Sequence, residues 1–378
     1  MKKIEICKLI KQPQGFKACI PALFPPAELF NIPQNIINKA ANAERLIGKL
    51  DGVTQTSLPD IEFFLKMFAF KDATASSQIE GTRATMTDAL EASVDIGIEG
   101  GDADDIIFYI KALDYGIKRL KRLPLSLRFI RELHRELIQG ARATQFSDPG
   151  EFRRSQNYIG GTRPGNADFV PPPAEEMKKA LDDFEKFLYD DESTLPIIHI
   201  GYSHAQFETI HPFLDGNGRT GRLLITFLLI KKGLLENPVL FISSFFRKHQ
   251  KTYYNKLSAY HSGRVFEWLD FFLEGVIETA QNSIEVSSKI RQIYDEDMVK
   301  IQALAKRESE SSVKLLFHLF KNPIITSSTV VKALGFSRPG ARKVIERFIK
   351  LNILEKHSQE KKYGQQYIYR RYFDAFID

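Results

Sequence analysis

Cysteine is scarce in this chain: Cys7 and Cys19 are the two in 378 residues. Two thiols cannot build a disulfide framework, and no Cys-x-x-Cys spacing offers a zinc site. A reducing, cytoplasmic home is the expectation. Long apolar runs are lacking too. The longest, Leu223 to Ile230, is well short of the ~20 residues a membrane helix requires, so no membrane association is expected. Met1-Lys2-Lys3-Ile4-Glu5 is basic, but no apolar core follows it and no signal peptide is read. Several catalytic signatures are missing as well. There is no Gly-x-Ser-x-Gly elbow and no Walker lysine. His199 and His204 stand five apart, which does not align two imidazoles on one helix face for zinc. No internal repeat is visible.

What is present is the composition of an ordered protein. Apolar residues make up 43% and aromatics 11%, enough for two or three domains with real cores. The net charge of +6 is unevenly placed. From Ser311 onward there are 13 Lys and Arg against 5 Asp and Glu, while the rest of the chain carries 40 against 42. The basic character belongs to the C-terminal fifth, as a solvated face or as a surface for DNA.

Apolar spacing predicts a mainly helical chain. Helical patterns run over 34–50, from Pro59 through Ile61, Phe64, Leu65, Phe68 and Ala69, from Asp104 through Leu113, and over 126–138. Gly97, Gly100 and Gly101 interrupt them. Residues 152–173 differ in kind: short β-prone pieces surround Gly160-Gly161 and Gly165-Asn166, which suggests a hairpin. Helices resume at 174 and over 195–209 and continue to about Ile293. Residues 296–312 are polar and read as a linker. Beyond them, three short helices and a hairpin turning at Tyr363-Gly364-Gln365 suggest a winged helix-turn-helix.

One segment carries chemistry: His211-Pro212-Phe213-Leu214-Asp215-Gly216-Asn217-Gly218-Arg219-Thr220-Gly221-Arg222. Gly216 and Gly218 allow restricted backbone conformations. The N–H groups they free can converge on an anion where the following helix begins. Arg219 and Arg222, three apart, share one side of the first helical turn. Two guanidinium groups beside such a nest suit a polyphosphate. Asp215 can balance the arginines, cap the helix or hold Mg²⁺. His211 can be a structural residue or a general base on an incoming hydroxyl.

This segment resembles the Fic family signature, His-Pro-Phe-x-Asp/Glu-Gly-Asn-Gly-Arg-x-x-Arg, at every defined position. The resemblance implies a Fic-fold helical core and transfer of AMP from ATP to a Tyr, Thr or Ser hydroxyl of a protein. By that likeness His211 is the base and Asp215 the Mg²⁺ ligand. Gly216, Asn217, Gly218 and Arg219 take the phosphates, Arg222 takes the γ-phosphate, and Thr220 and Gly221 complete the nucleotide-binding run. Tyr254 lies where relatives place an aromatic near adenine. The hairpin over 158–170 sits where Fic proteins carry a flap that binds an extended target segment. Ser76-Ser77-Gln78-Ile79-Glu80-Gly81 fits a second family pattern, in which the glutamate, here Glu80, pairs with the last arginine of the loop and inhibits it. The expected organisation is an N-terminal helical region with the inhibitory helix (1–115), a Fic core (116–295) and a winged-helix domain (296–378). Two other functions stay open at this point: removal of AMP from a modified protein, and a DNA-binding regulator with a nucleotide-sensing core. A homodimer is compatible with the family.

Overall fold

Nearly every run of apolar residues at three- and four-residue spacing between Gln34 and Gln302 forms a helix. The computed structural model describes residues 3–56, 61–94, 101–140, 148–190, 194–357 and 364–377. Pro59, Gly97, Gly100 and Tyr363 lie outside the described residues, as does the side chain of Phe64.

The chain opens with strands β1 (Cys7–Lys11) and β2 (Lys17–Pro21), antiparallel in the register Leu9 to Cys19. No clean alternation marked this hairpin in the sequence. It brings Cys7 and Cys19 together diagonally, and they are joined as a disulfide. The expectation of a reducing home rested on free thiols and loses that support. Helices α1 (Gln34–Thr56), α2 (Glu62–Ile79), α3 (Met86–Val94), α4 (Asp102–Leu120) and α5 (Leu127–Ile138) follow. Ser126 caps α5, its hydroxyl accepting from the Phe129 N–H at 3.3 Å.

Residues 158–170 turn back on themselves as a hairpin of the smallest kind, closed by one antiparallel bridge, Ile159 with Phe169. Gly160 and Gly161 adopt φ of +70° and +66°, and the Asn166 side chain accepts from the N–H groups of Thr162 and Arg163. The segment closes on itself as a wide turn before strand pairing can spread.

Next come α6 (Ala174–Leu188), α7 (Pro196–Ile210), α8 (Asn217–Lys231), α9 (Ser243–Lys248), α10 (Gln250–His261) and α11 (Val265–Gln302). Helix α7 is buried on every side from Ile197 to Ile210, and α8 nearly so. The two pack side by side, with α4, α5 and α2 against α8 and α11 running along α1 and α7. Burial on all faces leaves neither helix a solvent-facing polar stripe, and polar side chains of α7 such as His199 and His204 bond inside the protein.

The linker expected over 296–312 is corrected. Helix α11 continues to Gln302, and α12 (Lys306–Lys321) begins after only three intervening residues. Asp297 looked like part of a solvated stretch, but it is fully buried and accepts the Tyr369 hydroxyl at 2.6 Å. The C-terminal part then holds β3 (Ile324–Thr326), α13 (Ser327–Leu334), α14 (Arg338–Lys350), β4 (Glu355–Lys356), β5 (Gln366–Ile368) and α15 (Arg370–Asp374). Its three strands form an antiparallel sheet in the order β3-β5-β4.

Candidate functional site

The turn between α7 and α8 gathers the polar residues of the loop. His211 ends α7 in the left-handed region, at φ 48°. That conformation is uncommon for a residue with a side chain and turns the chain sharply out of the helix. Gly216 does the same at φ 77° just before α8. A side chain at Gly216 would collide with Ile138. Between these bends, the Asn217 side chain clasps Phe213: its oxygen accepts the Phe213 N–H at 2.8 Å and its amide donates to the Phe213 carbonyl at 2.8 Å. The Asn217 side chain is therefore committed to shaping the loop. Its backbone N–H belongs to the open first turn of α8, where the N–H groups have no acceptor within the helix.

The loop is braced from outside by residues the sequence reading missed. His134 of α5 donates through Nε2 to the Asp215 carbonyl at 2.9 Å, while its Nδ1 accepts the Gly150 N–H at 2.8 Å. Its ring stacks on Phe213 at 3.7 Å, and burial pushes its pKa down to about 4, so it stays neutral. Arg153 is buried and spends its guanidinium on carbonyls, among them His211 at 2.9 Å and Pro172 at 2.6 Å. Asn157 donates to the His211 and Phe213 carbonyls. These braces tie the loop to residues 150–173. Their sequence signal was faint, because an arginine or histidine far from a motif looks like surface.

The two arginines are held by carboxylates from the N-terminal helices. Glu80, just past the end of α2, accepts from Arg222 Nη2 at 2.7 Å. Ser76, one turn earlier, accepts from Arg222 through its hydroxyl at 2.8 Å and its carbonyl at 3.0 Å. The Arg222 side chain is 1% exposed. Burial works against its charge, but Glu80 beside it lifts its pKa above the usual arginine range. The Glu80 carboxylate also lies flat against Gly218, where a Cβ would come 2.2 Å from Oε1. Arg219 pairs with Asp105 of α4 at 3.2 Å, and Asp105 in turn accepts the Thr82 hydroxyl at 2.6 Å.

The remaining residues of the sequence reading fall into two groups. Asp215 is part-exposed, with one carboxylate oxygen accepting the Gly216 N–H at 2.6 Å and the other 3.7 Å from Arg219 Nη2. Tyr254 is half-exposed on α10 within the electrostatic reach of Glu80 and Arg222, and burial followed by the Glu80 charge raises its hydroxyl pKa. Both lie on the side of the loop that carries Glu80 and the arginines. Thr220 and Gly221 turn inward. Thr220 is fully buried, and Gly221 packs against Glu208 and His204, its carbonyl 3.0 Å from His204 Nδ1. Tyr253 is core, its hydroxyl 2.8 Å from His204 Nε2.

No helix among the described residues is long and apolar enough to cross a membrane, and no described group of three or more His, Cys, Asp or Glu is placed to hold a metal.

Two family descriptions match the chain: the Fic/DOC family N-terminal region over residues 37–118, and the Fic/DOC family over residues 124–229. Among curated proteins, the protein adenylyltransferase Fic of Drosophila grimshawi is 30% identical over 199 residues, covering 51% of this chain and 36% of that protein. Its counterpart in Drosophila persimilis is 29% identical over 201 residues, covering 52% and 34%. The chain thus spans about a third of the length of these relatives. Among solved structures, a Fic family protein from Desulfovibrio desulfuricans superposes with a TM-score of 0.56 at 20% identity, covering 89% of this chain and 96% of that one. Fic-1 (residues 134–508) of C. elegans gives 0.53 at 20% identity, covering 67% and 74%. The signature loop and the two matches agree: residues 37–118 and 124–229 of the chain belong to the Fic/DOC family.

Proposed function

We propose that this protein is a protein adenylyltransferase that moves AMP from ATP to a Tyr, Thr or Ser hydroxyl of a protein, itself included, and that Glu80 restrains it. The observation that carries the reading is the Glu80 carboxylate at the first turn of α8, 2.7 Å from Arg222 and against Gly218. An anion already stands where helix N–H groups, the helix dipole and two arginines would hold a phosphate. The names of the curated relatives support the same activity.

In this reading the N–H groups of the first turn of α8, with Arg219 and Arg222, hold the triphosphate, and Tyr254 lies beside the adenine. His211 takes the proton of the attacking hydroxyl. Asp215 suits Mg²⁺: it is a lone, part-exposed carboxylate, and that ion commonly combines one or two carboxylates with substrate phosphates. When bound, the ion neutralises phosphate charge. The target segment runs along residues 158–170 by strand addition. The tail supports a second role. Helix α14 exposes Arg338, Arg342, Lys343 and Lys350, a basic face of the kind a winged helix offers to DNA. The full chain should shift a DNA duplex at low salt and release it steeply as salt rises. Equal mobility with and without protein removes this role.

The transferase reading is tested by His211→Ala. Transfer of labelled AMP should fall by roughly 10²-fold or more, the usual contribution of a general base, while calorimetry still detects ATP. Undiminished transfer would remove His211 as the base. Loss of AMP already attached to a protein, with no transfer in either variant, would favour the reverse reaction.

A further inference from the structure

Glu208 is a buried acid and the one charged residue of α7, and no contact described above explains it. It stands in the last turn of α7, and its Oε2 is 3.6 Å from His211 Nδ1. Among the described residues, neither Glu208 Oε1 nor His211 Nδ1 has a hydrogen-bond partner. A buried carboxylate without a partner is costly, and this one is wedged in place. A Cβ on Gly221 would come 2.5 Å from its Oε1, so the glycine of the loop leaves the space that the carboxylate fills.

The groups around Glu208 narrow its partner to His211. On its own helix, His204 is engaged through both ring nitrogens, by the Gly221 carbonyl at 3.0 Å and the Tyr253 hydroxyl at 2.8 Å. On α8, the Arg222 guanidinium is committed to Ser76 and Glu80. On α10, His261 is stacked on Phe169 at 3.9 Å and burial holds its pKa down to about 3, so it brings no positive charge. Tyr253 and Tyr254, also on α10, feel the Glu208 charge, and their own burial keeps them neutral. Burial alone would raise the Glu208 pKa, but His211, His204 and Arg222 outweigh it and hold the group ionised. Contacts of this length in a free enzyme commonly tighten when substrate arrives.

We propose that Glu208 is a positioning residue for His211: its carboxylate accepts the Nδ1–H, leaves the Nε2 lone pair for the target hydroxyl, and stabilises the imidazolium that forms. The inference rests on the adenylyl-transfer reading. In the step, the hydroxyl proton passes to Nε2 and the hydroxyl oxygen bonds to the α-phosphorus. The bond from that phosphorus to its bridging oxygen breaks, and pyrophosphate leaves with the electron pair. Glu208 itself gains no proton, as in other carboxylate–histidine pairs.

The test compares Glu208→Gln with the parent in a Glu80→Gly background. The kcat should drop by roughly 10²-fold or more, while the KM for ATP stays within about threefold. The acidic limb of the pH–rate profile should move to lower pH, because the imidazole loses the anion that favours its protonated form. Nitrogen-15 NMR of labelled histidine gives a readout independent of turnover: the parent should carry the His211 proton on Nδ1. An unchanged kcat and pH profile, with His211→Ala inactive, would overturn the inference and leave the transferase reading standing. An active His211→Ala would overturn both. If Glu208→Gln fails to fold, the parent spectrum still decides, since a proton on Nε2 with Nδ1 bare contradicts the proposal.

Discussion

Asn217 shows how a residue can stand in a binding loop yet act mainly on its shape. Its two hydrogen bonds to Phe213 close the turn between the left-handed bends at His211 and Gly216. Asn217→Ala leaves the buried Phe213 N–H without its partner, while the Phe213 carbonyl keeps Asn157, and an orphaned group of this kind costs about 1–3 kcal/mol. The melting temperature should fall by several degrees and AMP transfer with it; an unchanged melting curve would show that the loop holds its shape without the clasp. The loop was legible in the sequence because its chemistry is local: glycines, arginines, an acid and a histidine lie within twelve positions. His134 and Arg153 were not, since each acts on the loop across a distance that only the fold closes, and Glu208, only three residues before His211, was passed over. One signal for Glu208 was available. It is the one charged residue between Leu195 and His211 and stands one helical turn before that histidine.

At the scale of an element, α2 is a helix with one polar edge. Asp72, Ser76 and Glu80 recur every four residues and face Tyr109, Arg222 and the start of α8. Asp72 accepts the Tyr109 hydroxyl at 2.6 Å and the Ser243 N–H at 3.0 Å, which fixes the helix about two turns before Glu80. The carboxylate at its end is thus presented by an anchored element. Glu80→Gly and Arg222→Ala break the same ion pair, but they should diverge. On the proposed reading, the first would free Arg222 for the γ-phosphate and line up the α-phosphate with His211. The second removes the guanidinium that productive binding uses. Self-modification with labelled ATP should rise in Glu80→Gly and stay at or below the parent level in Arg222→Ala; equal gains would contradict the role of Arg222. The sequence revealed this edge only through the family pattern, because Ser and Glu four apart suit an exposed helix equally well. The expected linker over 296–312 failed because its polar content reflected tertiary contacts, such as the buried Asp297, that local pattern does not report.

Across the whole molecule, the C-terminal part is joined to the rest through α2. Lys66 donates to Asn322 at 2.6 Å, Lys321 pairs with Glu62, and Phe68 meets Phe376 edge-on with ring centres 5.2 Å apart. His357 before the last strand lies 2.9 Å from Glu91 of α3. Burial keeps the interior histidines neutral. Burial pushes His134 and His199 down to about 4 and His261 to about 3, against an ordinary value near 6.5. The unfolded chain therefore binds these protons more readily. Their stabilising effect is complete above about pH 6.5 and is lost as pH falls toward 4, by up to about 3 kcal/mol for each group. Denaturant unfolding across that range should show a steep decline, and a flat profile would mean these rings protonate without unfolding the chain.

In the proposed function, the Glu80 carboxylate restrains an adenylyltransferase built on the loop from His211 to Arg222. The most direct measurement is the intact mass of the parent, of Glu80→Gly and of Glu80→Gly combined with His211→Ala, each after incubation with ATP and Mg²⁺. The expected result is a mass increase equal to AMP that is faint in the parent, strong in Glu80→Gly and abolished in the double variant. A Glu80→Gly protein no more modified than the parent, or a double variant modified as strongly as the single one, would contradict it.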